Sequence, residues 1–289
     1  MREVLNRKRV KYKLCAVDLD GTLLGPTGLP HDTDLRALTA LREAGVHVTI
    51  VTGRLYSGTR PVAEMLGLRG PVGCVDGSQI VSTETHRTLH SHALSGDRAL
   101  ALREAMTEAG AATFLFAQDQ VVYDSDGVPY LGYVSTWSTS LVAAGRTTAH
   151  PFWEADEGVT AVVAVGEHHQ IQRAMDAIAE RVGDHVQVAM FPAKTTDDRW
   201  GMIVRAAGGD KGTALQLIAD HYQVSIEEVV AVGDWLNDIP MLRVAGRSFA
   251  MGHAPDAVKA IVSDRLKQTS LEGGGVACAV EAAFGVKAP

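Results

Sequence analysis

The stretch CAVDLDGTLL, Cys15 to Leu24, sets two carboxylates, Asp18 and Asp20, at the end of an apolar run that reads as a buried strand. An unpaired charge in such a place costs several kcal/mol, so the chain has to supply something that compensates it. Residues two apart on an extended chain point to the same side, which aims both carboxylates at one place. Gly21 then supplies a freely turning backbone and Thr22 a hydroxyl and an amide N–H, while Gly25-Pro-Thr-Gly28 reads as a hairpin tip.

Similar runs recur along the chain, at Val46 to Val51, Val72 to Val75, Val229 to Val232 and Ser248 to Met251. Runs that are apolar on both faces suit strands covered on both sides, as in a parallel sheet. Helical stretches lie between them. Asp34 to Ala44 spaces Leu35, Leu38 and Leu41 three apart before Gly45, Lys211 to His221 carries Leu215 and Ile218, and Pro255 to Ile261 and Gly275 to Phe284 are further candidates. The alternation predicts a doubly wound, Rossmann-like α/β core.

One spacing exceeds that scheme. A strand-helix-strand unit needs roughly 30 to 40 residues, yet about 130 separate Ile80 from Lys211, with their own strand-like run (Val159 to Val165) and helix (Gln170 to Arg181). This reads as an inserted α+β domain. The expected division is a core at 1–83, an insert at 84–205 and the rest of the core at 206–289, with Met202 to Arg205 assignable to either. Gly127 to Gly145 holds no charge but carries Pro129 and Gly132, and reads as loop and core, not as a membrane span.

The 289 residues carry a net charge of −7, so no positive field gathers nucleic acid or an anionic membrane. The basic cluster Arg7, Lys8, Arg9, Lys11 and Lys13 reads as a solvated arm. Leu14 to Val17 is too short for a signal-peptide core. Cys15, Cys74 and Cys278 lie far apart with no Cys-x-x-Cys spacing, which indicates neither a disulfide framework nor a zinc ribbon and suits the reducing cytoplasm. No feature assigns an oligomeric state.

Ligands of an open α/β sheet collect at the carboxyl ends of its strands. Here those ends carry Asp18 and Asp20, Thr52-Gly53-Arg54, Asp76-Gly77, and Gly233-Asp234 with Asn237 and Asp238 just beyond. Two like charges about 4 Å apart repel by roughly 4 kcal/mol at an effective dielectric near 20, so the group calls for a cation. Oxygen ligands without His or Cys favour Mg²⁺. Of Asp18 and Asp20, one can attack while its neighbour handles a proton. Lys211, opening a helix after Gly208-Gly209-Asp210, and the Thr52 hydroxyl suit an anionic oxygen, so a phosphate site stands beside a Mg²⁺ site.

The segments DLDGTLL, VTGR, GGDKGTAL and GDWLNDIPML, in that order, resemble the haloacid dehalogenase superfamily of phosphatases and, within it, the Cof-like subfamily. The resemblance spans most of the chain and is weakest from about 82 to 200. It implies a Rossmann-like core with a type IIB cap inserted between Thr52 and Lys211. It further implies that Asp18 is a nucleophile forming an aspartyl-phosphate and that Asp20 protonates the leaving alcohol, then activates water. Asp18, the Asp20 backbone carbonyl and Asp234 would hold Mg²⁺ with Asp238 in support, and Thr52, Gly53, Lys211 and Asn237 would bind phosphate. The expected reaction is hydrolysis of a small phosphorylated metabolite, foremost a sugar phosphate. A phosphosugar mutase of the same superfamily and a non-catalytic phosphate and Mg²⁺ binding regulatory module are the alternatives.

Two positions depart from the family pattern. Asp76-Gly77 stands where Asn-Gly is usual, and Gly252-His253-Ala254 where Gly-Asn-Ala is usual. Asp76 is expected to repel an acidic leaving group, and His253 to cap a helix. Arg54, Asp76, Arg199 and Trp200 are candidate substrate contacts, the last two in the cap stretch Thr195 to Trp200. His90-x-His92 and His168-His169 lack acidic or Cys partners at ligand spacing and read as ordinary surface or core residues; Trp137 and Trp153 read as core.

Overall fold

The computed structural model describes residues 11–193 and 198–287. Arg7, Lys8 and Arg9 of the basic arm, and Thr195, Thr196 and Asp197 of the cap stretch, lie outside the described residues. The strands are β1 (Leu14–Val17), β2 (His47–Ile50), β3 (Pro71–Cys74), β4 (Gln79–Ser82), β5 (Thr88–Ser91), β6 (Ala112–Ala117), β7 (Gln120–Tyr123), β8 (Leu141–Ala143), β9 (Ala161–Gly166), β10 (Val186–Pro192), β11 (Trp200–Ala206), β12 (Val229–Gly233), β13 (Arg247–Ala250) and β14 (Asp264–Arg265). The helices are α1 (Asp32–Glu43), α2 (Tyr56–Met65), α3 (Gly96–Ala109), α4 (Leu131–Val134), α5 (His168–Arg181), α6 (Lys211–His221), α7 (Ile239–Val244), α8 (Asp256–Lys259) and α9 (Gly275–Phe284).

The core is a parallel sheet in the order β14-β13-β12-β1-β2. Its interior strand β1 is buried on both faces, as an uninterrupted apolar run requires. Cys15 and Val17 pack into the layer beneath α1 and α9, whereas Leu14 and Ala16 pack into the layer beneath α6 and α7. Asp18 and Asp234 therefore leave the ends of two adjacent strands, side by side. A single bridge, Val51 to Gly73, attaches β3, which continues as an antiparallel ribbon β3-β4-β5.

The insert forms a separate six-stranded sheet, β10-β11-β9-β6-β7-β8, antiparallel except for the β7 and β8 pair. Alternation sorts its side chains. Leu115, Val162 and Ala164 meet α3 and α5 through Leu102 and Ile171, while Phe114, Phe116, Val163 and Val165 face the other way and join the core's apolar cluster. Two strands bear on the division expected at 84 and 205: β5 pairs with β4 beyond residue 84, and β11 runs within the cap sheet to Ala206. The span from Gly127 to Gly145 is more than loop, since it contains α4 and β8, the latter ordered by pairing with β7. Trp137, at its centre, stacks edge-on against Tyr133 with centroids 4.9 Å apart, and its carbonyl accepts from the Leu55 N–H at 2.9 Å. Gly58 is glycine because a Cβ there would lie 2.6 Å from that same carbonyl, so the cap docks directly on α2. Trp153 is fully buried and donates its indole N–H to Thr147 at 2.9 Å.

The N-terminus of α9 illustrates how the core is tied together. Its first turn follows Gly274, which has no side chain to cap with, and the free N–H groups are taken instead by Asp34 of α1, from Gly274 at 2.9 Å and from Ala277 at 2.7 Å. Asp34→Ala strands both donors in a buried place, and urea unfolding should show a loss of about 1–3 kcal/mol. Asp34→Asn, which keeps an acceptor, should lose less; equal losses would mean that packing and not the hydrogen bonds sets the cost.

All three cysteines are free thiols, and burial pushes Cys15 and Cys74 up to about 12. No described helix is long and apolar enough to cross a membrane.

Candidate active site

Lys211 organises the crevice. Asp210 caps α6 by accepting from the Thr213 N–H at 2.8 Å, which starts the helix so that the first side chain, Lys211, points inward with 1% exposure. Its ammonium lies 2.6 Å from Asp18 Oδ1 and 2.6 Å from Asp238 Oδ1. Burial alone would make Lys211 easier to deprotonate, but the charges of Asp18 and Asp238 outweigh it and raise its pKa. Burial pushes the Asp18 carboxyl well above its ordinary value; the Lys211 ammonium pulls it back, and Asp238 and Asp234 add repulsion.

Asp18, Asp234 and Asp238 each offer an oxygen, all within 4.8 Å of one another, and among the described residues no other group of three acidic, His or Cys side chains is so arranged. Fully ionised, the three carboxylates would carry −3 against the +1 of Lys211, an excess that burial opposes and a bound cation would relieve. Asp234 accepts from the Thr22 hydroxyl at 2.7 Å and faces His253 Nε2 at 3.3 Å. Its pKa is raised, by burial first and then by Asp238. Asp238 is well engaged: its Oδ1 meets Lys211, and its Oδ2 accepts from the N–H groups of Asp234 and Trp235, at 2.8 and 2.9 Å, and so shapes the loop that follows β12. Gly21, at φ +90°, passes so close to Asp234 that any Cβ would collide with its carboxylate. An all-oxygen donor set with excess negative charge, steadied by Thr22 and His253, fits Mg²⁺.

The other expected residues divide. Thr52 is fully buried at the end of β2, and its hydroxyl accepts from the Arg54 N–H at 3.2 Å. Gly53 lies against Asp76, whose Oδ1 would be 3.2 Å from an added Cβ. Asp20 does not join the buried cluster: its side chain is half exposed and is held by Arg54, whose Nε donates to Oδ2 at 2.7 Å and whose Nη2 pairs with Oδ1. The pair of carboxylates in DLD thus splits between floor and mouth, because the chain leaves the strand after Val17 and turns from Leu19, whose carbonyl accepts from the Thr22 and Leu24 N–H groups. Asn237 donates to Asp76 Oδ1 at 2.8 Å. Arg199 and Trp200 have partners within the cap, an ion pair to Glu167 at 3.3 Å and an edge contact to His168 at 4.8 Å. Trp200 opens β11 five residues before Arg205, about 17 Å along the strand, and Arg199 directly precedes that strand.

The two atypical positions both have partners, and one expectation is corrected. His253 caps no helix, since Pro255 stands at the start of α8; it contacts Asp234 instead. Asp76 is not an unopposed negative charge, because Arg205 of β11 reaches it with Nη1 2.7 Å from Oδ2. Sequence reasoning missed Arg205, whose only signal is a charge near the end of the otherwise apolar run Met202 to Ala206.

Comparison with known proteins agrees with this geometry. The sequence profile of a haloacid dehalogenase-like hydrolase family matches residues 15–279. The chain is 30% identical, over 86% of its length and 90% of that protein, to the pyridoxal phosphate phosphatase YbhA of Escherichia coli (strain K12). It is 26% identical, over 93% and 95% of the two chains, to the 5-amino-6-(5-phospho-D-ribitylamino)uracil phosphatase YcsE of Bacillus subtilis (strain 168). A haloacid dehalogenase-like hydrolase from Bacteroides thetaiotaomicron shares the fold, with a TM-score of 0.82 over 94% of this chain and 100% of that one at 22% identity.

Proposed function

Because the chain belongs to the haloacid dehalogenase-like hydrolases of Cof type and is a phosphatase, we propose that it hydrolyses a small phosphorylated metabolite in the cytoplasm through an aspartyl-phosphate on Asp18, with Mg²⁺. The observation that carries this reading is the buried Asp18, Lys211, Asp238 and Asp234 cluster at the carboxyl ends of β1 and β12.

In the proposed sequence, Lys211 and the Thr52 hydroxyl bind phosphate oxygens and orient phosphorus toward Asp18. An Asp18 oxygen attacks; the O–P bond to Asp18 forms as the bond to the leaving alcohol breaks, and Asp20 gives that oxygen its proton. Asp20 must part from Arg54 to do so. Water then attacks phosphorus, Asp20 takes its proton, and phosphate leaves Asp18 free. Asp18 and Asp234, with Asp238 and the Asp20 carbonyl, would hold Mg²⁺, which when bound offsets negative charge on the phosphoryl group.

The relatives' names support a compact substrate. YbhA and YcsE are named for phosphate esters that carry a heteroaromatic ring, so phosphorylated cofactors and their precursors belong beside sugar phosphates in the first substrate panel. Free phosphate should accumulate at many turnovers per enzyme. Isomerised sugar without free phosphate would indicate a mutase, and binding without turnover a regulatory module.

Metal binding has its own readout. Mg²⁺ at about 100 times its dissociation constant should stabilise the wild type by about 2.7 kcal/mol in thermal unfolding. Asp234→Asn should shrink that gain. A wild-type midpoint that millimolar Mg²⁺ leaves unmoved would remove the metal from the reading.

A further inference from the structure

Asp76 poses a problem that Arg205 solves. The Asp76 backbone is left-handed, with φ 49° and ψ 34°, and its N–H donates to the Thr52 carbonyl at 2.9 Å, which points the side chain into the crevice with 8% exposure. Its Oδ1 stands only 3.9 Å from Lys211 Nζ. Lys211 therefore has three carboxylates within reach and one positive charge to share among them. Closer approach to Asp76 would draw the ammonium off Asp18.

Both oxygens of Asp76 are engaged elsewhere. Oδ1 accepts from Asn237 at 2.8 Å, and Oδ2 faces Arg205 Nη1 at 2.7 Å. Arg205 is 9% exposed, and the same Nη1 lies 3.4 Å from the Val75 carbonyl. Its Nε is buried without a partner. A buried ion pair with an unsatisfied donor is a poor device for stability, which directs attention to what the pair does for its neighbours. Arg205 is the next-to-last residue of the last cap strand, and only the five residues 206–210 separate it from Lys211, so the cap's exit strand and the lysine meet at one carboxylate.

We propose that Arg205 is a positioning residue: by neutralising Asp76 it keeps Lys211 on Asp18, in place for the phosphate. This rests on the phosphatase reading of the site. It also explains how an acidic side chain is tolerated beside a phosphate subsite, since the cap brings the charge that offsets it.

The test compares Arg205→Met, Arg205→Lys and the double variant Asp76→Asn/Arg205→Met, each assayed for phosphate release from an aryl phosphate with Mg²⁺ and for its thermal midpoint. Arg205→Met should lower kcat by about 10–100-fold with a smaller change in KM. Arg205→Lys, a point charge that can still meet Asp76, should retain more of the rate. In the double variant the rival charge is gone, and kcat should return to within about 5-fold of the wild type. A double variant that is folded yet as slow as Arg205→Met overturns the inference, as does an Arg205→Met enzyme with wild-type kcat. Should Arg205→Met fail to fold, the rates of Arg205→Lys and the double variant decide by the same criterion. A wild type that releases no phosphate in an Asp18-dependent way brings down the phosphatase reading and this inference together, whereas an active wild type with an unrescued double variant brings down only the role of Arg205.

Discussion

Asp18→Asn should abolish phosphate release while leaving the protein folded. Asparagine matches the shape of aspartate but is a far weaker nucleophile, and loss of a covalent nucleophile costs about 10⁴-fold or more in kcat. The fold should not suffer, because the substitution removes one of three crowded carboxylates and Lys211 keeps Asp238 at 2.6 Å. In chelator the thermal midpoint of Asp18→Asn is expected to equal or exceed that of the wild type. Two measurements check the claim, multiple-turnover phosphate release and thermal unfolding. Wild-type turnover by the variant would sink the covalent route outright.

Lys211→Met should fail in the opposite way, damaging both fold and rate. The methionine fills the space of the lysine stem but leaves Asp18 and Asp238 buried without their cation. Removing one partner of a buried ion pair costs about 3–5 kcal/mol, which denaturant unfolding in chelator should resolve. Loss of a preorganised charge at a phosphoryl centre should lower kcat by about 10²–10³-fold in Mg²⁺. A Lys211→Met protein as stable as the wild type in chelator would show that the cluster tolerates its charge by other means. The two variants together separate the proposed roles, a reacting group for Asp18 and a charge that holds it in place for Lys211.

Much of this site was legible because its residues sit at fixed points of the strand and helix pattern. Apolar runs that stop at Asp18, Thr52 and Asp234 mark strand ends, and a parallel sheet gathers strand ends at one edge whatever the details of packing. Lys211 could be read from its place at a helix start. Asp20 could be read as present but not as placed: alternation put it beside Asp18, and the turn that begins at Leu19 took it to the mouth and to Arg54. The caps of α9 were illegible for a related reason, since Asp34 looks like the beginning of its own helix and serves another 240 residues away. His253 likewise sits next to a helix in sequence and next to Asp234 in space.

From the sequence alone came the α/β core, the presence of a large insert and the candidacy of Asp18, Asp234 and Lys211 for the site, because local periodicity and strand ends are properties of short stretches of chain. Tertiary structure decided the order of the cap strands, the docking of Trp137 on α2 and the partner of every charge in the crevice. Arg205 and Asp76 are 129 positions apart, and no local rule links them. Their pairing exists only because the cap sheet delivers its last strand to the rim of the core, where a buried charge must find an opposite one to persist.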